Sequence, residues 1–498
     1  MSEVKIVDKW KCLRCGEEFE FPESEIPQMC DSPVCGKRGP FKALSGVFKG
    51  HTITIKGITD KIASDIIMGK HLFYCDKNDK NTSLYVWNNG VWHNGLAEGV
   101  VLHDLSEMFK NVQSRDKMKL EKTVNFIKGR AMDTVVKEKP PHLIVFKNGV
   151  LNIETMMLRE HDPAFFCVNK IPHDYDPTAI CPKFLKFLDD VIKKEDLPFL
   201  QEWMGYNFLT SYPEVGFLIL TGIGQNGKSV FVVIFTHVLG VENITTINLA
   251  DLTYDTFAPA ELWHKLACIN EDIGTTTIVN AGKLRLITGG GRITVQKKFG
   301  QEFDIEPYAK ITYACNEPPE IKDESDAIKF RLKVVEFPHV FSKTPKEGEF
   351  LAKDRKELEA EMKAEAPGII NWAIEGLRRF LANNTTFTMS KSTEETWQFY
   401  QRKSKPVFTF ADECLTTTDD DSDKMTIDAM YSAFKDWIKR TKIQLKISRD
   451  KMIKQLKDYG IETRQKREDE RKRMYYGVCV TPSLCMTLPI SSVKNEMV

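Results

Sequence analysis

The segment Gly222-Ile-Gly-Gln-Asn-Gly227-Lys228-Ser229 constrains this chain more than any other stretch. It follows the apolar run Gly216-Phe-Leu-Ile-Leu-Thr and precedes another, Val230-Phe-Val-Val-Ile-Phe. Strand, glycine-rich loop and helix, in that order, are what a phosphate-binding loop requires. The glycines let backbone N–H groups turn inward onto phosphate oxygens. The helix behind them points its positive end at the same anion. Gly222, Gly224, Gln225, Asn226, Gly227, Lys228, Ser229 and Val230 are therefore the expected nucleotide-binding set. ATP and Mg²⁺ are the expected ligands, with Lys228 on the β- and γ-phosphates and the Ser229 hydroxyl on the metal.

A phosphate loop needs an acidic partner. Leu266-Ala-Cys-Ile-Asn-Glu271-Asp272 is an apolar strand that ends in two carboxylates. One is expected to assist Mg²⁺ and the other to orient or deprotonate water. Glu271 is assigned to water and Asp272 to the metal shell, although the sequence alone does not separate the two roles. A third apolar run, Ala309-Lys-Ile-Thr-Tyr-Ala-Cys, ends at Asn316 before Glu317-Pro318-Pro319. An amide at the carboxyl end of a central strand can position the lytic water; a plain turn former before prolines is the other reading. Alternating strand-like and helical stretches over 211–345 point to an α/β core with a parallel sheet and crossover helices.

Length and composition frame this core. The 498 residues suffice for about three or four domains. Lys and Arg total 70, as do Asp and Glu, so any nucleic-acid contact must come from local patches. No apolar run is long enough to span a bilayer and the polar N-terminus lacks a signal-peptide core, so an intracellular location without membrane contact is expected. Four of the twelve cysteines crowd into the first 35 residues. Cys12-Leu-Arg-Cys15 and Cys30-Asp-Ser-Pro-Val-Cys35 make two hooks that can close a tetrahedron around Zn²⁺. Metal would fold a segment too short to build its own core; redox or unbound cysteines are the alternative. Cys268, in an apolar strand-like run, reads as a small buried hydrophobe.

The remaining organisation is read as follows. Residues 1–45 form a zinc ribbon, 46–140 an α+β region and 141–210 a helical, collar-like region. Residues 211–345 are the nucleotide core, and 346–424 a helical segment and linker, with a charged helix near 344–365 and a linker at Asn383–Ser390. Residues 425–498 are a winged-helix module. Within these, Asn89-Gly90 supplies a hairpin turn between Tyr85 and Trp92; its tryptophans either pack a small core or stack on bases. Ser448 caps a helix that Gly460 stops. Residues Ile461 to Gly477 form a wing with a charged tip at 464–473, which either contacts DNA, docks a partner or is merely solvated.

The ordered set Asn148-Gly-Val-Leu, Ile171-Pro-His-Asp-Tyr-Asp-Pro177, Leu200-Gln-Glu-Trp-Met-Gly205-Tyr206, the phosphate loop, Glu271-Asp272, Thr288-Gly289-Gly290, Asn316-Glu-Pro-Pro and Arg331 resembles the superfamily 3 helicases of the phage and plasmid primase type, relatives of the poxvirus helicase-primase. The resemblance covers about residues 80–480. It implies an AAA+-like core, a hexameric ring on single-stranded or forked DNA, ATP held between subunits and 3′→5′ translocation. It also implies replication partners such as a primase or polymerase. Arg331 then becomes the arginine offered to a neighbour's nucleotide. Lys297, Lys298 and Phe299 become the tip of a DNA-tracking hairpin, with charge for phosphates and a ring face for sugar or base. The chain departs from the family at Gly291, where an aspartate is usual, and at Phe330, where a first arginine often stands. No paired-carboxylate motif precedes the shared region, so no primer synthesis is expected. A packaging motor, a nucleotide kinase and a non-enzymatic origin-binding or regulatory protein are the rival functions.

Overall fold

The computed structural model describes residues 7–12, 18–22, 41–43, 52–53, 60–75, 83–108, 117–271, 278–321, 325–418, 423–441, 447–465 and 473–480. Two compact units divide the chain, residues 1–170 and 171–498.

In the first unit, strands Val7–Cys12, Glu18–Pro22, Phe41–Ala43 and Thr52–Ile53 form a small sheet. Cys12 ends the first of these strands, while Cys15, Cys30 and Cys35 lie outside the described residues, so the expected zinc site does too. Among the described residues, no group of three or more His, Cys, Asp or Glu could hold a metal ion. The Asn89-Gly90 hairpin forms as its residues dictate, with both turn residues at positive φ, 49° and 88°. Trp92 is buried, packs edge-on against Trp87 at 5.5 Å and donates its indole N–H to the Phe165 carbonyl. It is thus a core residue. Helices Asp60–Lys70, Asn94–Met108 and Lys117–Ala131 close a core around Ile67, Phe73, Val101 and Ile127.

Of the region 141–210, read as helical and collar-like, only the part from Pro182 on is helical, whereas Phe146-Lys-Asn-Gly-Val-Leu-Asn-Ile makes the strand-turn-strand its sequence reads as. Residues 143–166 carry four strands of the first unit, Leu143–Phe146, Gly149–Asn152, Met157–Arg159 and Phe165–Phe166. The reason is local: Lys147-Asn148 closes a two-residue turn, and Gly149 brings its Cα against the Arg159 carbonyl oxygen, where a Cβ would clash. Within 141–210 the helices begin at Pro182, in the second unit.

That unit is built on seven strands that carry the argument. They are β1 (Phe217–Thr221), β2 (Ile244–Thr245), β3 (Ala267–Asn270), β4 (Ile293–Gln296), β5 (Glu302–Ile305), β6 (Lys310–Cys315) and β7 (Leu332–Glu336). Five of them form a parallel sheet in the order β2-β3-β6-β1-β7. Every residue of β1 and β6 is buried, as expected of strands covered on both faces. The fold is thus mixed α/β with a parallel sheet. Cys268 is fully buried in β3, its thiol 3.7 Å from the Tyr313 hydroxyl.

Helices α1 (Pro182–Val191) and α2 (Leu197–Tyr206) precede β1, and α3 (Lys228–Leu239) follows it. Further on come α4 (Ala281–Ile287), α5 (Asp326–Arg331), α6 (Arg355–Ala364) and α7 (Ala366–Ala382). The stretch Leu200-Gln-Glu-Trp-Met-Gly205 packs α2 between α7 and the sheet. Trp203 donates its indole N–H to the Thr312 hydroxyl on β6 at 2.9 Å. Glu202 is fully buried and accepts from the Arg379 guanidinium at 2.6 Å. A buried carboxylate demands such partners, and Thr388 supplies two more, from its N–H and its hydroxyl, each at 2.7 Å.

This explains two differences from the sequence reading. The stretch 383–390 is no loose linker: Phe387 is buried, stacked on Phe380 at 4.5 Å, and the segment is tied to Glu202. The charged helix starts only at Arg355, where Asp354 caps it by accepting the Glu357 N–H. Residues before it pair as short parallel strands, Phe341–Ser342 with Phe350–Leu351.

The last part holds α8 (Thr393–Ser404), α9 (Pro406–Cys414), α10 (Ile427–Arg440) and α11 (Arg449–Tyr459). The last three pack on antiparallel strands Lys424–Thr426, Thr463–Gln465 and Arg473–Tyr476 around Phe410, Phe434, Trp437, Met452 and Tyr475. Ser448 caps α11 through the Lys451 N–H, and Gly460 ends it at a φ of 106°. Residues 466–472 of the expected charged tip lie outside the described residues. Among the described residues, no helix is long and apolar enough to cross a membrane.

A methyl group at Gly205 would overlap the Ala373 carbonyl oxygen on α7. Gly205→Ala is expected to destabilise the chain by about 2 kcal/mol through overpacking. An unchanged urea midpoint would contradict this account of the α2–α7 contact.

Candidate functional site

Parallel strands bring their carboxyl ends to one edge of a sheet, where ligands of such sheets bind. Here β1 ends at Thr221, opposite Cys315 of β6, and β3 ends at Asn270, opposite Tyr313. The residues that follow are Gly222, Asn316 and Glu271. Three neighbouring strands, spaced about 4.8 Å apart, therefore deliver the glycine loop, the amide and the carboxylate to one place. They line a single cleft of about 1010 Å³.

The loop itself is shaped by backbone constraints. Gly224 and Gly227 sit at φ of 95° and 88°, the left-handed region that disfavours side chains. A Cβ at Gly227 would also press on Val191 and Phe187 of α1. Gly227 is the N-cap of α3, so the first turn of that helix faces the cleft. Asn226 is buried and donates from its side-chain amide to the Phe337 carbonyl just beyond β7, at 3.3 Å. Phe341 donates its N–H to the Gln225 carbonyl at 2.7 Å. The loop is thus fixed from two sides.

Lys228 is 6% exposed. Its ammonium donates to the Gly222 carbonyl at 2.6 Å, to Asn226 Oδ1 at 3.1 Å and to Asn316 Oδ1 at 3.3 Å. None of these oxygens carries a formal charge. Burial accordingly pushes the Lys228 pKa down to about 8. An ammonium held by neutral dipoles in a partly dry cleft is a site waiting for an anion. Ser229 and Val230 continue the cleft wall, and Glu271 stands exposed on its far side. Asp272 lies outside the described residues.

A buried ion pair backs the loop. Glu336, at the end of β7, accepts from Lys403 of α8 at 2.6 Å and from Lys193 at 3.2 Å. Burial alone would raise its pKa, but the two ammonium groups outweigh burial and hold the carboxyl below its usual range. A depressed carboxyl stabilises the fold above its ordinary pKa, and that contribution is lost as pH falls through the depressed value.

Arg331 lies elsewhere. It ends α5, immediately before β7, and β7 runs parallel to β1. It is therefore at the opposite end of the sheet from the glycine loop, about 16 Å away at a strand's rise per residue. Its guanidinium donates to the Ala327 carbonyl at 2.8 Å. Burial, together with the charge of Arg285, lowers its pKa. Gly289 of the Thr288-Gly289-Gly290 stretch packs beside it, and Thr288 accepts the Gly216 N–H under β1.

The hairpin forms as expected, β4 pairing with β5 from Ile293–Ile305 to Gln296–Glu302. Ile293, Val295, Phe303 and Ile305 anchor its base in the core. The expected trio lies together in the exposed tip turn. Lys297 sits over the Trp263 ring at 4.9 Å, and Lys298 and Phe299 crown the tip, with Phe299 97% exposed. Arg292, just before the hairpin, pairs with Asp304 of β5 at 3.3 Å.

Sequence reasoning missed much of the cleft wall. Phe187, Asp190 and Val191 come from α1; Phe341, Ser342, Lys343 and residues 351–355 form a strap; Leu358 comes from α6. No motif marks these positions, because backbone bonds and packing recruit them. Their mix of apolar faces and cations suits an organic anion with a flat apolar part.

An anion entering the cleft would raise the Lys228 pKa. Above pH 8 its binding must then take up a proton, and affinity for a triphosphate should fall roughly tenfold between pH 7 and pH 9. Calorimetry in buffers of different ionisation heat measures both; pH-independent affinity without proton uptake would contradict the Lys228 environment.

Comparison with known proteins adds lineage. The family model "D5 N terminal like" matches residues 60–193, and a family of unknown function (DUF5906) matches 220–331. "Putative helicase 121R" of Invertebrate iridescent virus 3 is 24% identical over 340 residues, 60% of this chain and 35% of that protein. "Putative helicase L207/L206" of Acanthamoeba polyphaga mimivirus is 30% identical over 233 residues, 43% of this chain and 23% of that protein. The chain thus spans about a third or less of the length of these viral relatives. The solved apo structure of the NrS-1 C-terminal region is similar at a TM-score of 0.45 and 15% identity, covering 72% of this chain and 78% of that one. The match to the D5 N-terminal-like family and the similarity to putative viral helicases agree with the ordered motifs and support a superfamily 3 helicase-primase type.

Proposed function

We propose that this chain is an ATP-dependent DNA helicase motor of a virus or mobile element. The observation that carries the reading is the convergence of the glycine loop, Lys228, Asn316 and Glu271 on one cleft at the carboxyl edge of the sheet. The loop N–H groups, the start of α3 and Lys228 suit the phosphates of a nucleotide. Ser229 and Asp272 are the residues that would hold Mg²⁺, which neutralises phosphate charge when bound. Glu271 orients and deprotonates the attacking water. Asn316, within reach of Lys228, senses the terminal phosphate.

The strand order, with β6 between β1 and β3, supports the reading of an AAA+-like core. Arg331 is too far from its own chain's loop to act there, which suits service to a neighbouring protomer in a ring, a hexamer in our reading. Lys298 and Phe299 contact single-stranded DNA, with 3′→5′ movement. The N-terminal cysteines bind structural zinc on the strength of their spacing alone, and residues 425–498 act as a winged helix. Domain limits other than the two compact units, and replication partners such as a primase or polymerase, belong to the same proposal.

Lys228→Ala should abolish single-stranded-DNA-stimulated hydrolysis, a loss of at least about a hundredfold for removal of a preorganised charge, while leaving the unfolding midpoint nearly unchanged. Retained turnover would remove the cleft from the mechanism. Lys298→Ala should spare basal hydrolysis and cut strand separation on a forked duplex severalfold; undiminished unwinding would take the hairpin tip out of the DNA path. Hydrolysis indifferent to DNA would favour a nucleotide kinase, and absent turnover a non-enzymatic DNA-binding protein.

A further inference from the structure

The four residues Asn316-Glu317-Pro318-Pro319 leave β6 between two different neighbours. On one side Asn316 accepts from the Lys228 ammonium at 3.3 Å. On the other, Glu317 accepts from the Lys451 ammonium at 3.0 Å. Lys451 is in the first turn of α11, in the C-terminal module, 134 residues further along the chain. The same segment is held a second time: the Tyr400 hydroxyl of α8 donates to the Pro319 carbonyl, and Pro318 and Pro319 are buried. Pro318 restricts the backbone of Glu317 before it, and Pro319 is anchored by Tyr400, so Glu317 has little freedom of its own beside Asn316.

The neighbouring cation on α11 does something else. Arg449 pairs with Asp428 of α10 at 2.9 Å, inside the module. Lys451 is the side chain that leaves the module and reaches the end of β6. The first turn of α11 therefore docks on the segment beside the hydrolytic site in this conformation. The two partners are 42% and 26% exposed, so the link is screened by salt and open to competition from other charged groups.

We propose that Lys451 is a positioning residue for Asn316: its ion pair with Glu317 sets the placement of the amide next to Lys228, so that the C-terminal module governs the turnover number. This rests on the reading of the cleft as the site of hydrolysis. An anion that captures Lys451, such as a nucleic-acid phosphate, releases Glu317 and alters turnover from outside the cleft.

The test uses the full chain and steady-state ATP hydrolysis. Wild type and Lys228→Ala come first: no turnover in the wild type overturns the reading of the cleft and this proposal with it. Given Lys228-dependent turnover, Lys451→Ala and Glu317→Gln should each lower kcat about three- to fivefold, the range a part-exposed ion pair can supply, with KM within about twofold. Lys451→Arg should retain kcat. Lys451→Glu alone should be as poor as Lys451→Ala, and adding Glu317→Lys should restore most of the loss. An unchanged kcat in Lys451→Ala, or charge reversal without rescue, overturns the positioning role and leaves the cleft reading intact. A rise in KM matching the fall in kcat, with a lowered melting temperature, assigns Lys451 a purely structural role.

Discussion

Parallel strands that start level finish level, and the position of β6 between β1 and β3 turns that geometry into a site. Because β6 is the neighbour of β1, the residue after it lies within reach of the lysine that opens α3. Because β3 is the next strand out, its carboxylate faces the same cleft from a distance that leaves room for a ligand. Swapping β6 and β3 in the order would put Glu271 beside the loop and carry Asn316 away. The arrangement of three polar groups thus depends on which strands share hydrogen bonds, and that in turn depends on the buried, apolar character of β1 and β6.

The loop is kept in shape by elements that never touch a ligand. Asn226 is bonded to the carbonyl after β7, and β7 ends in Glu336, clamped by Lys403 and Lys193. Breaking such a buried pair by removing one partner leaves an uncompensated charge and costs about 3 kcal/mol or more. The glycine loop is therefore tied through one residue to α8, and α8 is tied through Tyr400 to the segment after β6. Loop, amide and helix form one connected block. Within it, the ammonium of Lys228 is held by neutral oxygens, a costly state that an incoming polyanion relieves.

Several stretches that look like chemistry in the sequence are packing devices in the fold. Leu200-Gln-Glu-Trp-Met-Gly205 lets α2 and α7 approach closely at glycines while Glu202 gathers Arg379 and Thr388. Thr288-Gly289-Gly290 turns tightly under β1, and Gly290 has a φ of 64°. The first supports the sheet from its face and the second from its base. Both leave the carboxyl edge open.

Local grammar in the sequence determined a good deal. The glycine loop, the Asn89-Gly90 turn, the Ser448 cap and the Gly460 stop all depend on φ preferences or hydrogen bonds between near neighbours, so a few residues suffice to specify them; the β4–β5 hairpin was expected only from the family resemblance. The polar residues at strand ends, Glu271 and Asn316, were legible because apolar runs stop there. Only the tertiary structure decided what those residues meet. Strand order brought Asn316 to Lys228, opposite sheet ends separated Arg331 from its own loop, and the Trp263 ring came to lie beside Lys297 at the start of the hairpin tip. It also recruited the 341–355 strap, tied 383–390 to Glu202 and set Lys451 against Glu317. Each of these is a contact between segments far apart in the chain, fixed by which surfaces must leave water together, and no short window of sequence contains both halves of such a contact.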